Sequence, residues 1–267
     1  MPQGIVGCIV RVEPTAYYRE FLEVVRPEWA MLKLHHASQL VDSGETADSW
    51  APHTKLITTS TINDPRLEEI SWQEERDIIQ SFQPHRHIPT DVSIYRDQST
   101  SDRVDGIKNC LTGAAYMQSE LANVATEVIP LFKGYTRSER ELSLQGVDVL
   151  DANRVAIYVS RYFSGNQGNN RKRLFNHLER YAEHDMPPAI LIGLLSPRYL
   201  ERVPDYVVAA SGQNQWRERY DPDSQTAQES RTEYELLSQA VGESLNLPPQ
   251  KSTQVEKPSP QNTSTLP

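Results

Sequence analysis

Short β-branched, apolar runs alternate along this chain with longer segments that are apolar on one helical face. The clearest succession lies between residues 154 and 216. Arg154 to Ser160 (RVAIYVS) has strand character, and a Gly/Asn-rich loop follows at 164–170. The loop opens onto Arg171-Lys172-Arg173 and a helix-like segment from Leu174 to His184. Pro188 to Leu195 (PAILIGLL) predicts a buried strand, 196–203 a turn and helix, and Asp205 to Ala210 (DYVVAA) another strand, closed by the polar loop Ser211 to Trp216. Strand, helix, strand, helix, strand is the pattern of a parallel sheet with right-handed crossovers.

The same rhythm starts at the N-terminus. Gly4 to Val12 (GIVGCIVRV) predicts the first strand, and Tyr18, Phe21, Leu22, Val25 and Trp29 mark one face of a helix over Thr15 to Ala30. Met31 to Leu34 is a short second strand, and 42–53 is turn-rich without helical period. Lys55 to Thr61 is the third strand, and Asn63-Asp64-Pro65 opens a helix that runs to about Phe82. Ile88 to Tyr95 (IPTDVSIY) is the fourth strand, ending at Arg96-Asp97. A long helical region fills 101–125, Glu127 to Phe132 (EVIPLF) is the fifth strand, and 137–149 is helical.

Eight strands with mostly helical connections predict an α/β protein, a (β/α)8 TIM-type barrel with irregular early connections. An open doubly wound sheet is the alternative. It is disfavoured because the count closes at eight and no dinucleotide glycine fingerprint follows the first strand. Residues 1–222 are expected to form the barrel, 223–246 a terminal helix, and 247–267, rich in Pro, Ser, Thr and Gln, a disordered tail.

Charge narrows the function. The 36 acidic and 27 basic residues give a formal net charge of -9, which argues against broad, sequence-blind nucleic-acid binding and leaves room for a local basic site. Two cysteines, Cys8 and Cys110, are too few for a disulfide framework or a four-thiolate zinc site. No run is long and apolar enough to span a membrane, and no basic region precedes the first apolar run, so a cytoplasmic protein without membrane contact is expected. No cofactor motif is visible, and none is expected.

In parallel α/β folds ligands sit at the carboxyl ends of strands, so the candidates are strand-end residues. Asp97, with Asp91 earlier in the same segment, stands past the fourth strand and can accept N–H bonds from a base, or else cap the helix near Ser99. Lys133 follows the fifth strand beside Gly134, which permits close backbone approach. The 164–173 loop joins two glycines and three cations at a helix start, an arrangement suited to phosphate. His35-His36 and His85-x-His87 have metal-like spacing but no companion carboxylates or cysteines, and read as packing or surface histidines, with no metal expected. No nucleophile elbow is present.

The succession IPTDVSIYRD, EVIPLFKGY, RVAIYVSRYF with a basic helix start, ILIGLLSP and DYVVAASGQNQW resembles the tRNA-guanine transglycosylase superfamily, in particular the DNA 7-deazaguanine transglycosylase-like branch. The resemblance spans roughly residues 54 to 216. It implies a (β/α)8 barrel that exchanges guanine for a 7-deazaguanine base in DNA or tRNA, a pentosyltransferase. By it, Asp97 falls at the base-recognising position, and Lys133-Gly134 stands where the family has Gln-Gly. Arg171, Lys172 and Arg173 match a pair of arginines before a helix, and Arg161 joins them as a phosphate-binding candidate at the same rim. The family's general acid/base lies in Asp-Ser-Gly-Gly-Phe, where this chain has KLITTST with Thr58 or Thr59, while Asp42-Ser43-Gly44 carries those letters one element earlier. The nucleophilic carboxylate is replaced by SGQNQW, with Ser211, Gln213 and Asn214, and the zinc cysteines are missing. Two readings remain. One is a base-exchange enzyme, with Asp97 catalytic and Asp42 or Asp205 recruited as the missing carboxylate. The other is a non-catalytic barrel that binds a purine or deazapurine base and DNA or tRNA, as the partner subunit of an active transglycosylase.

Overall fold

A computed structural model describes residues 4–62, 64–163 and 170–248 of the chain. The order is β1 (Gly7–Val12), α1 (Ala16–Val25), β2 (Trp29–Lys33), α2 (Leu34–Asp42), α3 (Ala47–Trp50), β3 (Lys55–Thr59), α4 (Asp64–Glu69), α5 (Trp72–Phe82), β4 (Arg86–Ile88), α6 (Thr100–Glu120), β5 (Glu127–Val128) and α7 (Arg137–Val149). It continues with β6 (Val155–Tyr158), a 3-10 turn (Ser160–Tyr162), α8 (Arg171–Tyr181), β7 (Ala189–Ile192), α9 (Pro197–Leu200), β8 (Val207–Gly212), α10 (Asn214–Arg217) and α11 (Ala227–Ser244). The Gly/Asn-rich loop at 164–169 and the expected tail beyond 248 lie outside the described residues. Among those described, no helix is long and apolar enough to cross a membrane.

All eight strands are parallel, in the order β5-β4-β3-β2-β1-β8-β7-β6. The sheet curls until its two ends approach. Leu131, just past β5, forms a single parallel bridge with Ala156 of β6. Ala156 N–H donates to the Pro130 carbonyl at 2.9 Å, and Phe132 N–H to the Ala156 carbonyl at 2.9 Å. Strand alternation sorts side chains onto two faces. Ile9, Trp29, Met31, Ile57, Ile190 and Ile192 pack together on the concave face. Val10, Val12, Leu32, Leu56, Leu191 and Ala210 meet the helices outside. Phe21 of α1 stacks on Trp216 with ring centroids 4.1 Å apart, and α11 packs on α1 and β1 beside them.

Where the elements differ from the periodicity, the cause is local backbone chemistry. The first helix stops at Val25 because Arg26 turns left-handed (φ 56°) ahead of Pro27, which frees Trp29 to start β2 instead of ending the helix face. The segment expected as one helix to Phe82 is two, because Ser71 caps a new start by accepting the Glu74 N–H at 3.2 Å. The 42–53 stretch holds the end of α2 and all of α3, which a capping box between Thr46 and Ser49 opens. The fourth strand ends at Ile88, not Tyr95: Pro89 has no N–H to give a sheet, and Thr90 sits at φ 42°. Pro130 likewise shortens β5 to Glu127–Val128.

The turn after β4 is held by a buried polar network. Glu75 on α5 is 3 % exposed and His87 on β4 is fully buried. One carboxylate oxygen of Glu75 accepts the Thr90 N–H at 3.1 Å, lies 3.0 Å from His87 Nε2, and takes the Ser60 hydroxyl; the other accepts the Thr90 hydroxyl at 3.1 Å. His87 Nδ1 lies 2.9 Å from the Thr58 hydroxyl on β3. Burial alone would raise the Glu75 carboxyl; the bonds from His87, Ser60 and Thr90 outweigh it and hold the group below the usual carboxylate value. On the other side Thr90 rests on α6 where only Gly113 fits, since a Cβ there would lie 2.5 Å from the Thr90 side chain.

Glu75→Ala is expected to cost about 3–5 kcal/mol in urea denaturation, because it strands several buried donors. A depressed carboxyl contributes stability that is present above its unfolded value of about 4.3 and lost as pH falls through its folded value. Wild type should therefore lose stability on acidification, and Glu75→Gln should lack that share of the loss. Gly113→Ala, which normally stabilises a helix by about 1 kcal/mol, should here destabilise by about 1–3 kcal/mol.

Candidate functional site

Because β4 stops at Ile88, the acid at its carboxyl end is Asp91. It accepts a hydrogen bond from the Lys133 ammonium, which also donates to the Val92 carbonyl at 2.5 Å. Lys133 follows the bridging segment at the carboxyl side of β5, and both charges are largely buried, at 16 % and 8 % side-chain exposure. Burial by itself would push the Lys133 ammonium down; the Cys110 sulfur and Asp91 beside it reverse this, so the net direction is upward. Burial raises the Cys110 thiol as well, so at neutral pH it is uncharged and Asp91 is the group that holds Lys133 charged.

Gly134 next turns the chain at φ 146°, where a Cβ would come within 2.8 Å of the Arg140 backbone nitrogen. That tight turn is fixed by Glu139, fully buried in the first turn of α7. It accepts the backbone N–H groups of Tyr135 at 2.7 Å and Thr136 at 3.2 Å, and the Arg103 Nε–H at 3.0 Å. Tyr135 is thus presented rigidly, and its hydroxyl donates to the Ile94 carbonyl at 3.3 Å. Arg161, in the 3-10 turn after β6, donates to the same carbonyl at 2.7 Å and lies 5.4 Å and 5.6 Å from the ring centroids of Tyr135 and Tyr162.

These groups enclose a cavity of about 190 Å³ at the carboxyl ends of β4, β5 and β6, facing α8. Tyr135, Tyr158, Tyr162 and Tyr181 supply its aromatic walls, Lys133 and Arg161 its cations, and Asp91 is the one carboxylate among the described lining residues. His177 of α8 is neutral at physiological pH, pushed down to about 4 by burial first and then by Arg161, Arg140 and Arg180. Its Nδ1 lies 2.8 Å from the Tyr162 hydroxyl. Burial raises the Tyr162 and Tyr181 phenols, which stay protonated donors. The volume lies below the range of drug-sized pockets and suits a single planar ring system.

The other candidates are placed elsewhere. Asp97 sits in an exposed turn six residues beyond Asp91 and does not line the cavity. Asp42 ends α2 and Asp205 precedes β8, so both lie toward the amino ends of the strands, exposed and away from the cavity. Arg171 opens α8 with its guanidinium 5.0 Å from the Tyr199 ring centroid and bonded to the Tyr199 hydroxyl; Lys172 and Arg173 are exposed. Thr58 belongs to the Glu75 network, and the Thr59 hydroxyl lies 2.9 Å from that of Thr61. Ser211 donates to the Met31 sulfur at 3.3 Å, Gln213 to Glu13 at 2.8 Å, and Asn214 starts α10. His85 and His87 do not converge: His85 Nδ1 accepts the Leu56 N–H at 3.4 Å, and His87 faces Glu75. Among the described residues no group of three or more His, Cys, Asp or Glu is arranged to hold a metal. The wall residues Tyr162 and His177 were not singled out by sequence reasoning. The available signal was the aromatic density of YVSRYF at a strand end.

No protein-family model matches the chain, and no curated protein matches its sequence.

Breaking the buried pair on one side should be costly. Lys133→Met leaves Asp91 buried without its cation and should lose about 3–5 kcal/mol by thermal or urea unfolding. The double variant Lys133→Met, Asp91→Leu should recover most of that loss. A double variant as unstable as the single one would mean that Lys133 acts on the fold by another route.

Proposed function

We propose that the chain is a (β/α)8 barrel, closed through the Leu131–Ala156 seam, that binds a purine-like base in the tyrosine-walled cavity above β4, β5 and β6. In this reading it is a transglycosylase-like protein that has kept base binding, and it acts on DNA or tRNA as the partner of a catalytic subunit. The observation that carries the reading is the cavity itself: a ring-sized space with aromatic walls, two cations, and one carboxylate tied to Lys133. Aromatic faces hold a base by stacking, and the cations can take the oxygens of a carbonyl-bearing ring.

The same geometry favours binding over base exchange. Displacement at a sugar through a covalent intermediate needs a nucleophile and a second group that moves the proton, both beside the reacting carbon. Asp91 is engaged by Lys133, and Asp42 and Asp205 lie toward the other end of the strands. The exposed starts of α8, Lys172 and Arg173, would meet backbone phosphates in this arrangement.

The test is equilibrium binding of guanine and 7-deazaguanine, with adenine and cytosine as controls, together with exchange of labelled guanine into DNA and tRNA. Saturable binding of guanine-type bases and no exchange by the chain alone are expected. Tyr135→Leu should weaken base binding about tenfold or more, as stacking on an aromatic ring contributes about 1–3 kcal/mol. Exchange by the isolated chain would overturn the non-catalytic assignment, and equal binding of all four bases would overturn guanine-type selectivity.

A further inference from the structure

A second cluster occupies the opposite side of the same carboxyl-end face, on β1 and β2. Ile9 and Met31 point to the concave face, so by alternation Arg11 and Lys33 point the same way, one step nearer the carboxyl ends. They stand on hydrogen-bonded neighbouring strands, which run about 4.8 Å apart. Among the described residues neither side chain forms an ion pair or a hydrogen bond. Arg66 of α4 adds a third cation close enough to act on Lys33 and His35. Glu13 is the one described carboxylate acting on this group, and it already accepts the Gln213 side chain at 2.8 Å.

Three further features point the same way. The nine-residue helix α2 begins directly after Lys33, and no side chain caps its first turn, so its free N–H groups face the end of β2. His35 and His36, in that first turn, lie with ring centroids 4.1 Å apart, and the Nδ1 atom of each is enclosed with no partner. An enclosed N–H without an acceptor is costlier than an enclosed lone pair, so the ring protons belong on Nε2. Both rings are neutral: burial first, then the neighbouring Arg66 and Lys33 for His35 and the His35 ring for His36, push them down to about 4. The face thus gathers donors and unmatched positive charge, in a chain whose formal net charge is -9.

We propose that Arg11, Lys33, the Nε2–H groups of His35 and His36 and the start of α2 form an anion site that takes a phosphate group. The site stands apart from the base cavity and does not depend on it. Two close, unpaired cations repel each other, and a doubly charged oxyanion removes that repulsion while meeting the donors around it. The phosphate is either a free one or that of a nucleic-acid backbone.

The experiment is calorimetric titration and thermal unfolding with inorganic phosphate, against sodium chloride at equal ionic strength, on wild type, Lys33→Met and Arg11→Gln. Phosphate should raise the wild-type Tm above the chloride control. Lys33→Met should raise the Tm of the phosphate-free protein, since it relieves repulsion, and weaken phosphate binding about tenfold. A single-stranded oligonucleotide that displaces phosphate identifies the nucleic-acid backbone as the source, and an oligonucleotide that does not displace it identifies a free phosphate. A wild-type Tm equal in phosphate and chloride overturns the site without needing any variant. Unchanged phosphate affinity in both variants overturns the assignment of Arg11 and Lys33. Guanine binding by the same variants should stay at the wild-type level, so failure here is separable from failure of the base cavity.

Discussion

The buried carboxylate of Glu75 is the constraint on which the functional face depends. Removed from water, it must be bonded by groups that the chain itself brings, and these come from the end of β3, from β4 and from the turn at Thr90. Satisfying it forces the chain to leave the sheet after Ile88. That departure sets Asp91 beside Lys133, and the rest of the cavity is built outward from the pair. A helix on one side and a glycine contact on the other leave Thr90 a single position. The electrostatics of the site are in this sense inherited from a packing problem one layer below it.

A second buried carboxylate repeats the device one strand later. Glu139 collects two backbone N–H groups and Arg103, and thereby orients Tyr135. Each wall of the cavity is then held by a charge that never meets the ligand. The space is faced by aromatic rings, by the cations Lys133 and Arg161 and by one carboxylate, Asp91, which Lys133 already engages. On the β1–β2 side the balance differs, for there positive charge is left without a local answer.

Much of this was legible in the sequence. Continuous apolar runs such as Ala189–Ile192, written by strands buried on both faces, marked the parallel strands, except that the fourth meets its expected span only at Ile88. Lys133, Gly134 and Arg161 were identified from their place after strands, and they line the cavity. Asp97 stands at the strand end if IPTDVSIY is one strand; Pro89 is the local sign that it is not, while the glutamate thirteen residues before Ile88 that holds the turn is not visible locally. Arg11 and Lys33 were invisible for a different reason. Each is a lone cation at the end of an apolar run, and only strand pairing brings them side by side. The helix split at Ser71 was written in its capping residue but masked by the charged face that continues across it.

The seam between Leu131 and Ala156 gives the cavity a kinetic character. Among the described residues the two ends of the sheet are joined there by one isolated bridge with two backbone hydrogen bonds, whereas β2 and β3 or β6 and β7 pair over four or five successive positions. Local opening should concentrate where the ladder is thinnest, and amide exchange at Phe132 and Ala156 would report it. Lys133 belongs to one margin of the seam and Arg161 to the other. A molecule that touches both would fasten the margins together, and by reciprocity anything that loosens the seam weakens its hold on that molecule. Affinity and breathing are then two measures of one equilibrium.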